Sequence, residues 1–201
     1  DNFSGKEMTK GKFIVVEGID GCGKSTLIEK LKTHFPDAVF LREPTNGKIG
    51  MTIRKKLASE DVLDADEMLS LFILDREEDC ELHVFPAINS GKNVIMDRYY
   101  YSNAAYQGAM GLDHNKIIAE NINRGFAVPD LVLYLNISAE KALERIRLRA
   151  ISSEQYEKLS FLEAVDSIYK KISDDKFCFL DGNLSPDEVL QQALERIGDI
   201  L

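Results

Sequence analysis

The sequence predicts an α/β domain: a doubly wound, five-stranded parallel sheet with helices on both faces and a short mobile lid. Three observations carry this expectation. Five short apolar runs alternate with longer stretches of helical spacing. The runs lack the polar alternation of half-exposed strands, as strands buried on both faces do. A glycine-rich turn joins the first run directly to the first helical stretch, and strands alternating with helices imply right-handed crossovers.

The first run, Phe13–Val16, is β-branched and apolar, and the helix after its glycine turn spans Ser25–His34. A second strand falls at Ala38–Leu41. Helical spacing then covers Asp64–Asn89, ahead of a third strand at Asn93–Met96. A helix over Asn115–Arg124 precedes the fourth strand, Leu131–Leu135. Ser138 stands at the N-cap of a helix over Ala139–Arg149, and another helix covers Leu159–Ile172. The last strand is Phe177–Leu180. The run Ser185-Pro186-Asp187-Glu188 opens a helix to Ile200, with proline at the first helical position. Residues 1–11 are polar and aperiodic and read as a leader, disordered or partly foreign to the natural chain, with Met8 as the natural start. No repeat or Gly/Ser linker divides residues 12–201, so they are expected to form one domain. Its lid falls at about 145–158, where polar AISSEQYEK follows an arginine-rich helix end.

Composition narrows the function classes. Hydrophobic residues make up 44% and charged residues 29% of 201, enough for a buried core and against general disorder. A net charge of −9 argues against a polynucleotide partner, which selects basic faces. Cys22, Cys80 and Cys178 are odd in number and far apart, so neither a disulfide framework nor a zinc site is expected. No apolar run reaches the roughly 18 residues of a membrane span. A cytoplasmic protein with no membrane partner is the expectation.

The chemistry begins at Gly18-Ile19-Asp20-Gly21-Cys22-Gly23-Lys24-Ser25, a full GxxxxGK[ST] motif between strand FIVVE and helix TLIEKLK. That context is what the motif requires. Its glycines let successive N–H groups turn inward around phosphate oxygens, and the helix N-terminus adds positive charge. Residues 18–26, through Thr26, are the expected nucleotide cradle. Lys24 reaches the β- and γ-phosphates and Ser25 offers its hydroxyl to Mg²⁺. The fold is therefore expected to be of the P-loop NTPase type. Asp97-Arg98 follows strand NVIM, where an aspartate can hold Mg²⁺ and an arginine meets phosphates; read alone, the pair also fits a strand-end salt bridge. The DxxG and NKxD motifs of GTPases are absent. A kinase, a nucleotide switch and a scaffold remain open at this point, although intact Lys24, Ser25 and Asp97 disfavour the scaffold.

DRYYYSNAAYQG from Asp97, REP from Arg42, FILDR from Phe72 and EGIDGCGKST resemble the thymidylate kinase family in order and approximate spacing, over Lys12 to Leu201. The resemblance implies a nucleoside-monophosphate-kinase-like domain that transfers the γ-phosphoryl of ATP to dTMP, giving dTDP and ADP for dTTP synthesis. A P-loop kinase for another nucleoside monophosphate or a deoxynucleoside is the alternative. It implies that Phe72 stacks on thymine and that Arg76 bonds its carbonyl edge; four apart on a helix, the two share a face. Asn103, Tyr106 and Gln107 are implied at the base, with Tyr106 crowding the sugar 2′ position. Asp20 is implied at the 3′-hydroxyl and near the metal, and Arg42 at the acceptor phosphate or the nucleoside; Arg98, placed above where phosphates converge, is expected to bind substrate and to act in catalysis. A homodimer is likewise implied.

This chain departs from the family in three places. Thr45-Asn46-Gly47 replaces the glycine pair that often follows REP, the P-loop holds no arginine, and Glu154-Gln155 stand where relatives often carry a later lid arginine. The compensating charge is expected from Arg145 and Arg149, which share a helix face. Arg147 points about 200° away. No base is required, because the acceptor phosphate has a second pKa near 6 and is mostly a dianion at pH 7.

Overall fold

The computed structural model describes residues 9–59, 61–147 and 155–201. Its five strands are β1 (Phe13–Glu17), β2 (Val39–Arg42), β3 (Val94–Asp97), β4 (Leu131–Asn136) and β5 (Phe177–Asp181). They form one parallel sheet in the order β2-β3-β1-β4-β5. The central strands follow from their composition: β1 is buried at every residue and β4 at all but its last. The edge strands β2 and β5 are half exposed.

The chain leaves β1 toward β3 and β2 on one side and later places β4 on the other. The order of strands therefore reverses beside β1, and ligands of open α/β sheets bind at the carboxyl ends of strands around such a point. Helix α1 (Lys24–His34) packs Leu27, Ile28 and Leu31 inward. Helix α7 (Ala139–Arg147) starts with the Ser138 hydroxyl accepting the Lys141 N–H at 3.3 Å. Helix α8 (Gln155–Ile172) covers the sheet, and α9 (Pro186–Gly198) opens with a complete Ser185–Glu188 capping box.

Helix α3 is Ala65–Asp79, shorter than the expected Asp64–Asn89. A π-turn at Cys80–Val84 follows, then α4 (Phe85–Asn89). Pro86 has no N–H to give a preceding carbonyl, and its ring would crowd one; the wider π-turn relieves both demands. Helix α6 is His114–Asn123. Two helices stand outside the predicted set, α2 (Lys48–Leu57) and α5 (Tyr100–Ala109). Gly50 inside α2 lowers its helical signal, yet any side chain there would place Cβ 2.1 Å from the Thr45 carbonyl oxygen.

Gly11, assigned by composition to the leader, is buried and donates its N–H to the Ile88 carbonyl at 2.9 Å. Residues 148–154, half of the expected lid and Arg149 with them, lie outside the described residues. Among the described residues no helix is long and apolar enough to cross a membrane.

Candidate active site

The P-loop runs from the end of β1 into α1, at the reversal point of the sheet. Gly21 has a φ of +83°, and a Cβ on it would lie 2.4 Å from the Ala142 carbonyl oxygen of α7. Glycine is thus required by conformation and by space. Gly23, at φ +103°, is the N-cap of α1 and offers no side chain that would compete for the helix's free N–H groups. Lys24 is buried, and its Nζ rests 3.2 Å from the Gly18 carbonyl and 3.7 Å from Cys22 Sγ. A buried ammonium held by one carbonyl and a thiol keeps donor capacity for a phosphate.

Two cavities flank this loop on the donor side. One, of about 280 Å³, is lined by Gly21, Cys22, Gly23 and Thr26, with Leu135, Pro186 and Val189 as its apolar walls. Arg145 lies on its rim and donates to the Cys22 carbonyl at 3.3 Å and to the Gly182 carbonyl at 2.9 Å. Arg147 is exposed at the end of α7. The other cavity joins Ser25 to Asp97 and Arg42. Asp97 Oδ1 is buried without a hydrogen-bond partner among the described residues. An orphaned carboxylate oxygen facing the same space as a serine hydroxyl fits a hard divalent cation such as Mg²⁺. Register explains the neighbours, since Arg42 of β2 pairs with Asp97 of β3.

The third cavity, of about 170 Å³, opens on the other side of the loop. It brings together Asp20, Phe72, Arg76, Arg98, Asn103, Tyr106 and Gln107, all expected at the acceptor. Arg42, expected with them, instead lines the Ser25–Asp97 cavity. Its strand ends on the metal side, and the chain then turns inward through Glu43 and the cis Glu43–Pro44 bond. Asp20, expected also at the metal, lines the acceptor cavity and pairs with Arg98 at 2.6 Å. The Tyr106 ring lies 5.4 Å beneath the Arg98 guanidinium, and its hydroxyl accepts the Asp20 N–H at 3.0 Å.

Arg76 is fully buried, at 0% exposure. Its Nε and Nη2 bind the Glu43 carboxylate, Nη2 also donates to Asn103 Oδ1 at 2.7 Å, and Nη1 donates to Asn121 Oδ1 at 2.7 Å. Glu43 holds the Arg76 pKa above its usual value against the effect of burial. Because a guanidinium only donates, Asn103 must turn its oxygen to Arg76 and its nitrogen to Gln107, 3.0 Å away. Phe72 stays half-buried at the mouth of this wall.

The family profile described as thymidylate kinase matches residues 16–193. The chain belongs to the thymidylate kinase family. It is 43% identical to the thymidylate kinase of Leptospira interrogans over 188 residues, covering 91% of this chain and 92% of that protein. Against the thymidylate kinase of Brachyspira hyodysenteriae it is 36% identical, covering 94% of each. A solved thymidylate kinase from Candida albicans superposes with a TM-score of 0.78 at 26% identity, covering 94% of this chain and 92% of that one.

The thymidylate kinase motifs locate residues that line the cavities and leave out those that hold them. Leu57 of α2 lines the acceptor cavity although 49% exposed. Asp75 takes both the Thr45 N–H (2.8 Å) and hydroxyl (2.6 Å), which fixes the loop at Thr45-Asn46-Gly47. Arg54 donates to the Thr45 and Pro44 carbonyls from α2. Glu17 is fully buried behind the P-loop. Its one sequence signal was a carboxylate ending an otherwise apolar strand next to the glycine turn.

Proposed function

We propose that this chain performs the thymidylate kinase reaction with the residues gathered here, moving the γ-phosphoryl of ATP onto dTMP. The observation that carries the reading is that one loop, residues 18–25, walls both the donor and the acceptor cavities. A nucleotide triphosphate on one side and a monophosphate on the other would then meet across Asp20, Lys24 and Arg98.

An oxygen of the dTMP phosphate forms a bond to Pγ as the bond from Pγ to the bridging oxygen breaks, and ADP leaves with that electron pair. The acceptor is already a dianion near neutral pH, so no side chain has to remove a proton. Alignment and charge neutralisation supply the rate. Lys24 neutralises the migrating group, and residues 18–26 hold the triphosphate by N–H groups. Arg98 draws the acceptor phosphate in. Arg145 and Arg149 bring positive charge from the lid, with Arg145 starting at the rim of the donor cavity. Ser25 and Asp97, with Asp20 nearby, would hold Mg²⁺, which neutralises phosphate charge when bound.

Phe72 stacks on the thymine ring, and Arg76 with Asn103 and Gln107 meets its polar edge. Tyr106 closes the sugar side, and Asp20 takes the 3′-hydroxyl. Arg42, on the metal side, approaches the phosphates rather than the base. A cytosolic homodimer completes the reading; Leu74 and Leu82 along the α3–π-turn stretch are 48% and 57% exposed. An ADP-release assay with dTMP, dUMP, dCMP, dGMP and UMP tests the function. The highest kcat/KM is expected for dTMP, and ADP release independent of the acceptor would refute the reading.

A further inference from the structure

Arg98 leaves β3 with φ at +65°, the one non-glycine residue among those described in the left-handed region. Such a backbone persists only where its surroundings over-determine it. Its N–H donates to the Val16 carbonyl at 3.0 Å, and the next N–H, of Tyr99, donates to Glu17 Oε1 at 2.8 Å. Glu17 Oε1 also accepts the Ser102 N–H at 3.2 Å. Tyr99 is the N-cap of α5 and makes no side-chain cap bond of its own. A carboxylate 82 residues earlier, on the P-loop strand, therefore caps the helix that walls the acceptor cavity.

The guanidinium of Arg98 has tethers of two kinds. One is Asp20, whose side chain is 58% exposed, at 2.6 Å from Nη2. The others are interior: Nη1 donates to the Gly18 carbonyl at 3.2 Å and to Ser102 Oγ at 3.1 Å. Ser102 in turn donates to Glu17 Oε2 at 2.7 Å, and Tyr169 of α8 donates to the same oxygen at 2.7 Å. Four donors thus saturate a carboxylate at 0% exposure that lines none of the three cavities described above. Asp20 lines the acceptor cavity, where a bound substrate would reach it, whereas Glu17 is enclosed by its four donors.

We infer that Glu17, acting through Ser102, is a positioning residue that keeps the Arg98 guanidinium on the phosphate path once substrate draws Asp20 away. This rests on the assignment of Arg98 and Asp20 in the proposed function. The Arg98 fork is the part that must not move, since a displacement of about 1 Å can cost on the order of 10²-fold in rate. Glu17 also links three elements whose mutual placement matters: β1 with its P-loop, α5 with the base-facing amides, and α8, whose first residues fall within the expected lid.

A double-mutant cycle on kcat, read in single turnover with excess enzyme, decides the matter. Ser102→Ala should lower kcat with dTMP by about 10–100-fold while KM for ATP stays unchanged, and Ser102→Thr, which keeps the hydroxyl, should restore it. In an Arg98→Ala background Ser102→Ala should have no further effect, because the bond it serves is gone. An equal loss in both backgrounds, or full turnover in Ser102→Ala, overturns the inference. Should Ser102→Ala not fold, Glu17→Gln, which keeps the shape of the group, carries the same cycle with the same outcomes. Failure of the wild-type chain to use dTMP would instead strike the proposed function, so the two failures are separable.

Discussion

The donor and acceptor sides of the site are built by opposite means. The donor side is local: eight consecutive residues, three of them glycines, shape a cradle from main-chain N–H groups at a helix N-terminus. Its side chains make few bonds, and Lys24 and Asp97 keep capacity for what binds there. The acceptor side is long-range. Arg76 reaches Glu43, Asn103 and Asn121, which are 33, 27 and 45 residues away, and nearly every polar atom is already engaged. Phosphate needs charge and N–H groups, which any backbone supplies when glycine lets it turn. A base needs a fixed pattern of donors and acceptors, which only a braced set of side chains supplies.

This contrast is open to attack where a buried group braces the acceptor wall. Glu43→Ala leaves the Arg76 guanidinium at 0% exposure with two neutral amides and no carboxylate bonded to it. Unpairing a buried ion costs about 3–5 kcal/mol, so chemical denaturation should show a stability loss of that order. A stability loss within a few tenths of a kcal/mol would mean that the wall is not braced as described. The donor side should answer differently. Lys24→Ala should lower kcat by about 10²–10³-fold, the usual cost of removing one donor to a developing charge. Its thermal unfolding should stay cooperative and near the wild-type Tm, because Lys24 ties together only its own loop. Turnover above about a third of wild type would remove Lys24 from the mechanism.

The same contrast explains what could be read in the sequence. All five strands are within one or two residues of their expected ends, because apolar β-branched runs beside glycine turns have little else to become. The phosphate cradle was legible because its residues are contiguous. The acceptor residues Phe72, Arg76, Asn103, Tyr106 and Gln107 were legible through motif resemblance, and they do converge. Their braces were not. Asn121, Asp75 and Glu17 act across 30 to 82 residues of chain, and no local pattern announces a partner that far away. Helix α5 shows why: its cap comes from Glu17, so no N-cap signal marks its start. Helix α2 hid behind Gly50, a poor helix former kept for close packing against Thr45. Arg42 lines the Ser25–Asp97 cavity rather than the acceptor wall because the inward turn at Glu43-Pro44 separates it from the wall that Glu43 joins.

The central claim is that donor and acceptor recognition reside in different residues on either side of one loop. KM for dTMP and for ATP, measured in parallel on the wild type and on Phe72→Ala, tests it most directly. Phe72 lines the acceptor cavity and neither of the two donor-side cavities, and a base stacked on an aromatic ring gains about 1–3 kcal/mol. KM for dTMP should therefore rise about 10-fold or more while KM for ATP stays at the wild-type value. An equal rise for both substrates, or a loss of stability with both constants unchanged, would contradict the account.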